Sequence, residues 1–349
     1  MYIFGKERTR RELDARAGFA ENLFGIRRFR LREGRSEGVE IAEVRTGSGL
    51  NYQVNLSRAL DIGLAEFCGT PLSWHSVNGP VHPAYFDDDE AEWLRTAAGG
   101  LLMTCGLTQV GAPNTDEGEE LGVHGRIHHL PAQLISAEGN WQGDDYFIRI
   151  RGEIVQTKMF TETIRLTREI TSKMGENKIK IQDTVENIGF SSVPHMILYH
   201  FNFGFPLMDE DTQIIFPSQK VTPREPDLPL EGYDRWQAPE VGYAERVYYH
   251  SDLERDNAFK TEVKIVNPNF PVNVDSGKFP LAVTLRWDVR QLPRLVQWKM
   301  PGAGLYALGI EPANCHVAGR AAEREAGMLQ FLEPGEKREY LLEMEIGEG

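Results

Sequence analysis

The sequence predicts a mainly β fold, a large antiparallel β-sandwich, on three observations. Seven segments alternate apolar and polar side chains at the two-residue period of a half-buried strand, and β-branched residues are frequent in them. Gly, Asn or Asp usually stands between these segments, where turns need them. No helices alternate with the strands as a parallel α/β sheet would require.

In chain order, Lys6 to Ala17 is the best helix candidate, because charged helix formers surround Leu13 and Gly18 closes the stretch. Strand signals follow in "VEIAEVRT", "NYQVNLSRAL", "YFIRIRGEIVQT", "TIRLTREITS", "KIKIQDTVEN", "KTEVKIVN" and "LAVTLRWDV". The chain closes on "GMLQFLEPGEKREYLLEMEI", two strands around a Pro-Gly turn. Two long irregular stretches interrupt the strands, Leu72 to Trp93 and Phe216 to Tyr243. Their aromatic content favours ordered loops that wall a site. Sandwiches often exceed the usual domain size, and neither a composition shift nor an internal repeat divides the 349 residues. The expected organisation is therefore one sandwich domain over 39–349 behind an N-terminal extension over 1–38.

Composition narrows the function classes. Fifty-two acidic against 38 basic residues leave a net charge of −14, a field that repels a phosphate backbone and argues against nucleic acid as a partner. No apolar run approaches the roughly 18 residues that span a bilayer, so no membrane partner is expected. The charged N-terminal stretch lacks the apolar core of a secretion signal, and Cys68, Cys105 and Cys315 form no CxxC pair. Both point to the cytoplasm. The sequence carries no Walker loop, dinucleotide fingerprint or GxSxG turn.

Four segments can carry chemistry. "ELGVHGRIHHLPA", Glu120 to Ala132, crowds His124, His128 and His129 beside Arg126. A helix there is opposed by Gly125 and Pro131, whereas a strand puts His124, Arg126 and His128 on one face and His129 on the other. A metal site would need carboxylates from elsewhere, and ordinary turn histidines are the plain alternative. In "HMILYHFNFGFPLM", His200 and Asn202 share strand parity among aromatic neighbours, which suits a sugar site as well as a buried structural histidine. Glu311 in "LGIEPANCHVAGR" stands at a strand end before a proline, where a partly buried carboxylate can serve as a base or pair with an arginine. Trp298 and Lys299 in "LRWDVRQLPRLVQWKM" are either a stacking platform with a hydroxyl donor or a core tryptophan beside a surface lysine.

Taken in order, "GGLLMTCGL", "LGVHGRIHHLPA", "YHFNFGFPL" and "GIEPANCHVAGR" followed by "LEPGE" resemble the bacterial homologues of aldose 1-epimerase, the galactose mutarotase-like superfamily, in its branch with the "EPAN" segment. The resemblance implies a supersandwich of antiparallel sheets with a sugar cleft on its concave face. It implies an isomerase that interconverts sugar anomers without a cofactor or metal, acting on a monosaccharide or sugar derivative. His124 matches the superfamily's first sugar-binding histidine, His200 its general acid and Glu311 its general base. The expected sugar contacts are His124, Arg126, Asn202, Trp298, Lys299 and Asn314, with His128, Asp252 and Arg320 as outer candidates. Arg126, Lys299 and Arg320 could each bind an anionic substituent. The family's "NR" arginine motif is not visible, and its sugar-binding aspartate has only Asp252 in "YYHSDL" as a candidate. A carbohydrate-binding protein without catalysis, or a cupin-like metal enzyme built on the 124–129 histidines, are the alternatives.

Overall fold

The structure, a computed structural model, describes residues 1–272 and 278–349. Among the described residues its strands assemble into three large antiparallel sheets and two small two-stranded ones, Tyr2–Ile3 with Lys6–Glu7 and Asn114–Asp116 with Glu119–Leu121. The largest has eight strands in the order Gln133–Gln142, Asp145–Thr157, Thr163–Lys173, Lys178–Asn187, Lys337–Glu348, Lys278–Asp288, Lys260–Pro271 and Gln213–Ile215. The second runs Ser218–Pro223, Arg246–Leu253, Arg294–Gly302, Leu305–Ala313, Val193–Gly204 and Gln330–Leu332, with Leu102–Leu107 also paired to Val193–Gly204. The third carries Gly25–Arg30, Glu40–Arg45, Leu50–Asn55, Asp61–Phe67 and Thr70–Pro71. This is the mainly β, antiparallel fold that the alternation predicted.

The alternation also explains the layering. Thr163–Lys173 and Lys178–Asn187 bury every second residue, one face to the core and one to solvent. Ile148, Leu166, Ile181 and Leu342 of the eight-stranded sheet share one core with Tyr199, Phe201, Leu308 and Ile310 of the second sheet and Val44, Tyr52 and Ile62 of the third. Val193–Gly204 is instead buried on both faces. Its outer-facing residues Met196 and Leu198 join Met103, Cys105, Val247, Val296, Ala313 and Trp93 in a second apolar cluster. That second burial is why the sequence here is a nearly continuous apolar run, and it marks the face where the candidate site lies.

Several local expectations change. The first helix is Arg10–Ala17, with Thr9 and Glu12 forming a capping box, so the preceding Lys6 and Glu7 are in a short hairpin instead. The 1–38 segment also supplies Gly25–Arg30 to the third sheet, and Met1, Ile3, Leu13 and Phe24 enter the main core. The strand in "NYQVNLSRAL" ends at Asn55, because Ala59 and Leu60 turn the chain with φ of 48° and 54°. A hydrogen bond from Ala59 N to Leu130 O fixes that buried turn. Part of the Phe216–Tyr243 loop is the edge strand Ser218–Pro223. The strands flanking the Pro-Gly turn do not form a hairpin: Gln330–Leu332 pairs with Val193–His195, whereas Lys337–Glu348 joins the eight-stranded sheet. No described helix is long and apolar enough to cross a membrane.

One buried ionic network ties the three sheets. The Arg168 guanidinium donates to Asp183 at 2.6 and 2.9 Å, to Asp61 Oδ1 at 2.7 Å and to Thr104 Oγ1 at 2.9 Å. Tyr199 OH donates to Asp183 at 2.7 Å, and His128 Nδ1 meets Asp61 Oδ2 at 2.6 Å. Burial pushes the Asp61 carboxyl up, but His128, Arg168 and Thr104 outweigh it and hold it below the usual range. Burial likewise opposes the charge on Arg168, and Asp183 and Asp61 more than restore it.

Candidate active site

Sheet register brings two distant segments together. Leu198 lies opposite Ala313 and Phe201 opposite Ile310, so His200 stands across from Glu311 on the outer face of the second sheet. His200 Nε2 is 3.2 Å from Glu311 Oε1, and both side chains are buried. The next strand adds Val296 opposite Glu311 and Trp298 opposite Gly309. The Trp298 ring lies 5.7 Å from His200 and 5.7 Å from Trp74, edge-on to both. The His124 ring stands 6.1 Å from His200 and 5.2 Å from Trp93. His200, Glu311, Trp298 and His124 are thus gathered, with Trp74 and Trp93 of the 72–96 loop as walls.

Two glycines make this arrangement possible. Gly125 follows His124 with φ of 71°, and a Cβ there would lie 2.5 Å from Gly106 O and 2.6 Å from Gln109 O. Only glycine lets the His124 turn press against that strand. A Cβ on Gly309 would lie 2.8 Å from Glu311 Oε1 and 2.9 Å from both His200 Cε1 and Trp298 Cβ. Gly309→Ala should therefore push His200 and Glu311 apart and, because Trp298 Cβ is fixed to the backbone and cannot swing aside, lower the thermal midpoint as well, which thermal melting and a structure of the variant check. A variant with an unchanged midpoint and an unchanged contact would show that the missing Cβ is not what lets the pair meet.

The electrostatics follow from burial. Burial, then the Glu245 charge, pushes the Glu311 carboxyl well above its ordinary range, against a smaller opposing effect of Arg224. Burial and the neighbouring His124 lower the His200 imidazole to about 3. Burial lowers His124 to about 4, partly offset by Glu245. Glu245 stands on the rim, where its carboxylate accepts the Trp298 indole N–H at 2.9 Å and Arg224 at 3.0 Å. His195 and His250, away from this face, are also lowered to about 4 by burial. Each of these four imidazoles is neutral in the fold, whereas the unfolded chain protonates near 6.5, so the unfolded state binds more protons between those limits. Glu311 has the opposite sign, keeping in the fold a proton that the unfolded chain releases, and offsets one of the four; the net expectation is stability that falls from pH 6.5 toward pH 4, which thermal unfolding at pH 7.5, 6 and 5 in one ionic strength checks. A midpoint unchanged from pH 7.5 to 5 would contradict the buried neutral histidines.

The other expected contacts lie elsewhere. Only Glu120 and Leu121 of the 120–132 segment lie in a strand, the short Glu119–Leu121; Ile127–His129 is a 3-10 turn, so parity does not set the side chains of the histidines. Arg126 is exposed, pairs with Asp88 and lies over Phe86. His128 is committed to Asp61, and His129 to Thr96 at 3.0 Å and to stacking on Phe86 at 4.0 Å. Those separate partners remove the geometric basis of a 124–129 metal cluster, and no described group of three His, Cys, Asp or Glu is placed to hold a metal. Asn202 is fully buried, its amide donating to Gly100 O and His200 O, both at 3.0 Å. Lys299 faces the opposite side from Trp298, into the interior, where it donates to Gly232 O at 2.6 Å and Arg235 O at 2.9 Å. Burial lowers its ammonium to about 8. Asn314 bridges strands by accepting from Ile197 N at 2.8 Å and donating to His195 O at 3.1 Å. Arg320 is buried against Asp116 and Glu119, both at 2.6 Å. It lines a polar cavity of about 720 Å³ with Lys158 and Arg324, whose charges are also paired, and neither His200 nor Glu311 borders that cavity. Asp252 is exposed at φ 54° near the end of its strand.

Sequence reasoning missed Trp74, Trp93, Glu245 and Gly309. The two tryptophans had a signal in the aromatic loop, but Glu245 in "GYAERVYY" resembles any charged residue before a strand. A family model described as "Domain of unknown function (DUF4432)" matches residues 36–346. The chain belongs to the DUF4432 family. No curated protein sequence matches this DUF4432 chain. It has the fold of a Klebsiella pneumoniae protein described as a "putative aldose 1-epimerase", with a TM-score of 0.83 at 23% identity over 94% of this chain and 86% of that one. A galactose mutarotase-like protein from Clostridium acetobutylicum gives 0.60 at 13% identity over 94% and 100%. Galactose 1-epimerase from Lactobacillus acidophilus gives 0.58 at 13% over 93% and 99%. The DUF4432 chain therefore has the galactose mutarotase-like sandwich that its motifs resembled.

Proposed function

We propose that this DUF4432 protein interconverts the anomers of a free sugar by acid/base ring opening and closure. The observation that supports it is the buried 3.2 Å contact between His200 and Glu311 on the face walled by Trp74, Trp93 and Trp298. Opening a cyclic hemiacetal removes a proton from the anomeric hydroxyl and delivers one to the ring oxygen as the bond between the anomeric carbon and that oxygen breaks. Glu311 takes the first proton and His200 supplies the second. Rotation about the bond to the anomeric carbon presents the other carbonyl face. Reclosure then returns a proton from Glu311 to the anomeric oxygen and one from the ring hydroxyl to His200. The starting charge state is restored, so one site serves both directions.

The pair carries the single proton this cycle needs. Burial raises Glu311 and lowers His200, so in the sugar-free site that proton rests on the carboxyl and the pair is neutral. The working form, carboxylate beside imidazolium, differs only by transfer of that proton across the contact. Hydroxyl groups of a bound sugar that donate to Glu311 stabilise the carboxylate and draw the proton to His200. Trp298 and Trp74 offer ring surface to the apolar face of a sugar, and His124 stands where it can contact a hydroxyl near the reacting carbon.

Polarimetry and exchange NMR on a panel of aldoses test the proposal. The expected result is accelerated equilibration of at least one sugar at catalytic protein concentration. Binding of a sugar by calorimetry with no acceleration for any member of the panel would move the function to carbohydrate binding.

A further inference from the structure

Asn202 was expected to contact sugar, yet its place suggests a different role. It shares the outer face with His200 two residues away and is opposite Gly309. Its amide nitrogen is spent on two backbone carbonyls, Gly100 O and His200 O, which fixes the orientation of the group and leaves Oδ1 as its acceptor. That Oδ1 is buried with no hydrogen-bond partner, and so is Nδ1 of His200. The two orphans, a carbonyl oxygen and an imidazole nitrogen two residues apart on one strand face, are costly while unpaired, and closing on one another would satisfy both. The Asn202 side chain also favours the protonated His200 ring, against burial and His124.

We propose that Asn202 is a positioning residue that holds a proton on His200 Nδ1, leaving Nε2, which faces Glu311, as the nitrogen that exchanges protons. The inference deepens the mutarotation proposal and rests on it for its catalytic meaning, but the tautomer itself is a property of the sugar-free protein. The locked Nδ1–H has two effects. A neutral His200 presents a bare Nε2 to Glu311, which accepts the carboxyl proton in the resting pair. A protonated His200 releases only the Nε2 proton, the one within reach of the reacting centre, because the other is held by Asn202.

Nitrogen-15 NMR of the imidazole rings in the full-length, sugar-free protein tests this, with His200 assigned by the signals lost in His200→Gln. The expected spectrum at neutral pH has His200 protonated on Nδ1 and bare on Nε2. Asn202→Leu should shift the ring toward the Nε2–H form and lower kcat about 10-fold or more with KM within a factor of about two. Asn202→Asp, which keeps an oxygen acceptor, should retain the Nδ1–H form and raise the pH at which the ring gains its second proton. A parent protein whose His200 carries its proton on Nε2 overturns the proposal, as does an Asn202→Leu variant that stays folded by thermal melting with an unchanged tautomer. If instead the tautomer is as expected and no sugar equilibrates faster, the proposal about Asn202 holds and the mutarotase reading fails.

Discussion

Glu311→Gln is expected to lower kcat for sugar equilibration by roughly 100- to 10,000-fold, the usual contribution of a positioned acid or base, with sugar affinity nearly unchanged. The substitution keeps the shape of a side chain buried beside His200 and sets no new volume against Val296 or Trp298. An amide can still donate to or accept from the imidazole, so the site stays assembled. What it cannot do is take a proton from the anomeric hydroxyl. Loss of turnover with intact binding is the signature of an interaction used only in the transition state. His200→Gln should cost a similar factor, and the double variant should fall little further, because acid and base act as a unit. Exchange NMR for turnover and calorimetry for affinity read both quantities. A Glu311→Gln protein that equilibrates sugar at the parent rate would sink the assignment of the base.

Arg168→Met is expected to destabilise the fold by about 3–5 kcal/mol, because it takes from the buried Asp183 and Asp61 the guanidinium that both are bonded to. The cost is not the worth of one ion pair but the price of a stranded charge. Tyr199 and Thr104 would still donate to those carboxylates, and His128 to Asp61, so the network would be weakened and not erased. Arg165→Met serves as the control: it also loses carboxylate pairs, to Glu186 and Glu153, but at a partly exposed site, and should cost about 1 kcal/mol or less. Urea unfolding midpoints compare the two at pH 7. A proton on a stranded aspartate relieves its burial, so the Arg168→Met deficit should shrink as pH falls. An Arg168→Met protein as stable as the Arg165→Met control would mean that the buried network is not what ties the sheets.

These two substitutions fall on residues that the sequence reveals unequally. Glu311 was legible because it ends an apolar run before Pro312, and His200 because aromatic residues alternate around it. Arg168 sits in "TIRLTREITS" at the parity of Ile164, Leu166 and Ile170, so the alternation places it on the core face, but nothing local says that two aspartates from other strands meet its charge there. The same blindness misplaced Lys299, Asn314 and Arg320. A polar side chain in a strand looks functional or exposed in sequence, yet it can be a structural donor whenever a distant carbonyl or carboxylate needs one. Parity failed in the 120–132 segment for a different reason: it holds only along a strand, and Gly125 and the Ile127–His129 turn break the strand period.

The sequence by itself determined the antiparallel β class, the approximate bounds of the strands it named, the resemblance to mutarotases and the histidine and glutamate of the proposed pair. Those follow from periodicity and from short motifs, which are local. Tertiary structure decided the 3.2 Å meeting of His200 with Glu311, the place of Trp74 and Trp93 beside Trp298 and His124, the rim carboxylate of Glu245 and the commitment of the buried Asn202 amide nitrogen to two backbone carbonyls. The physical reason is register. Residues more than a hundred positions apart become neighbours only when sheet pairing aligns them, and the orphaned or satisfied state of each buried polar atom depends on that alignment.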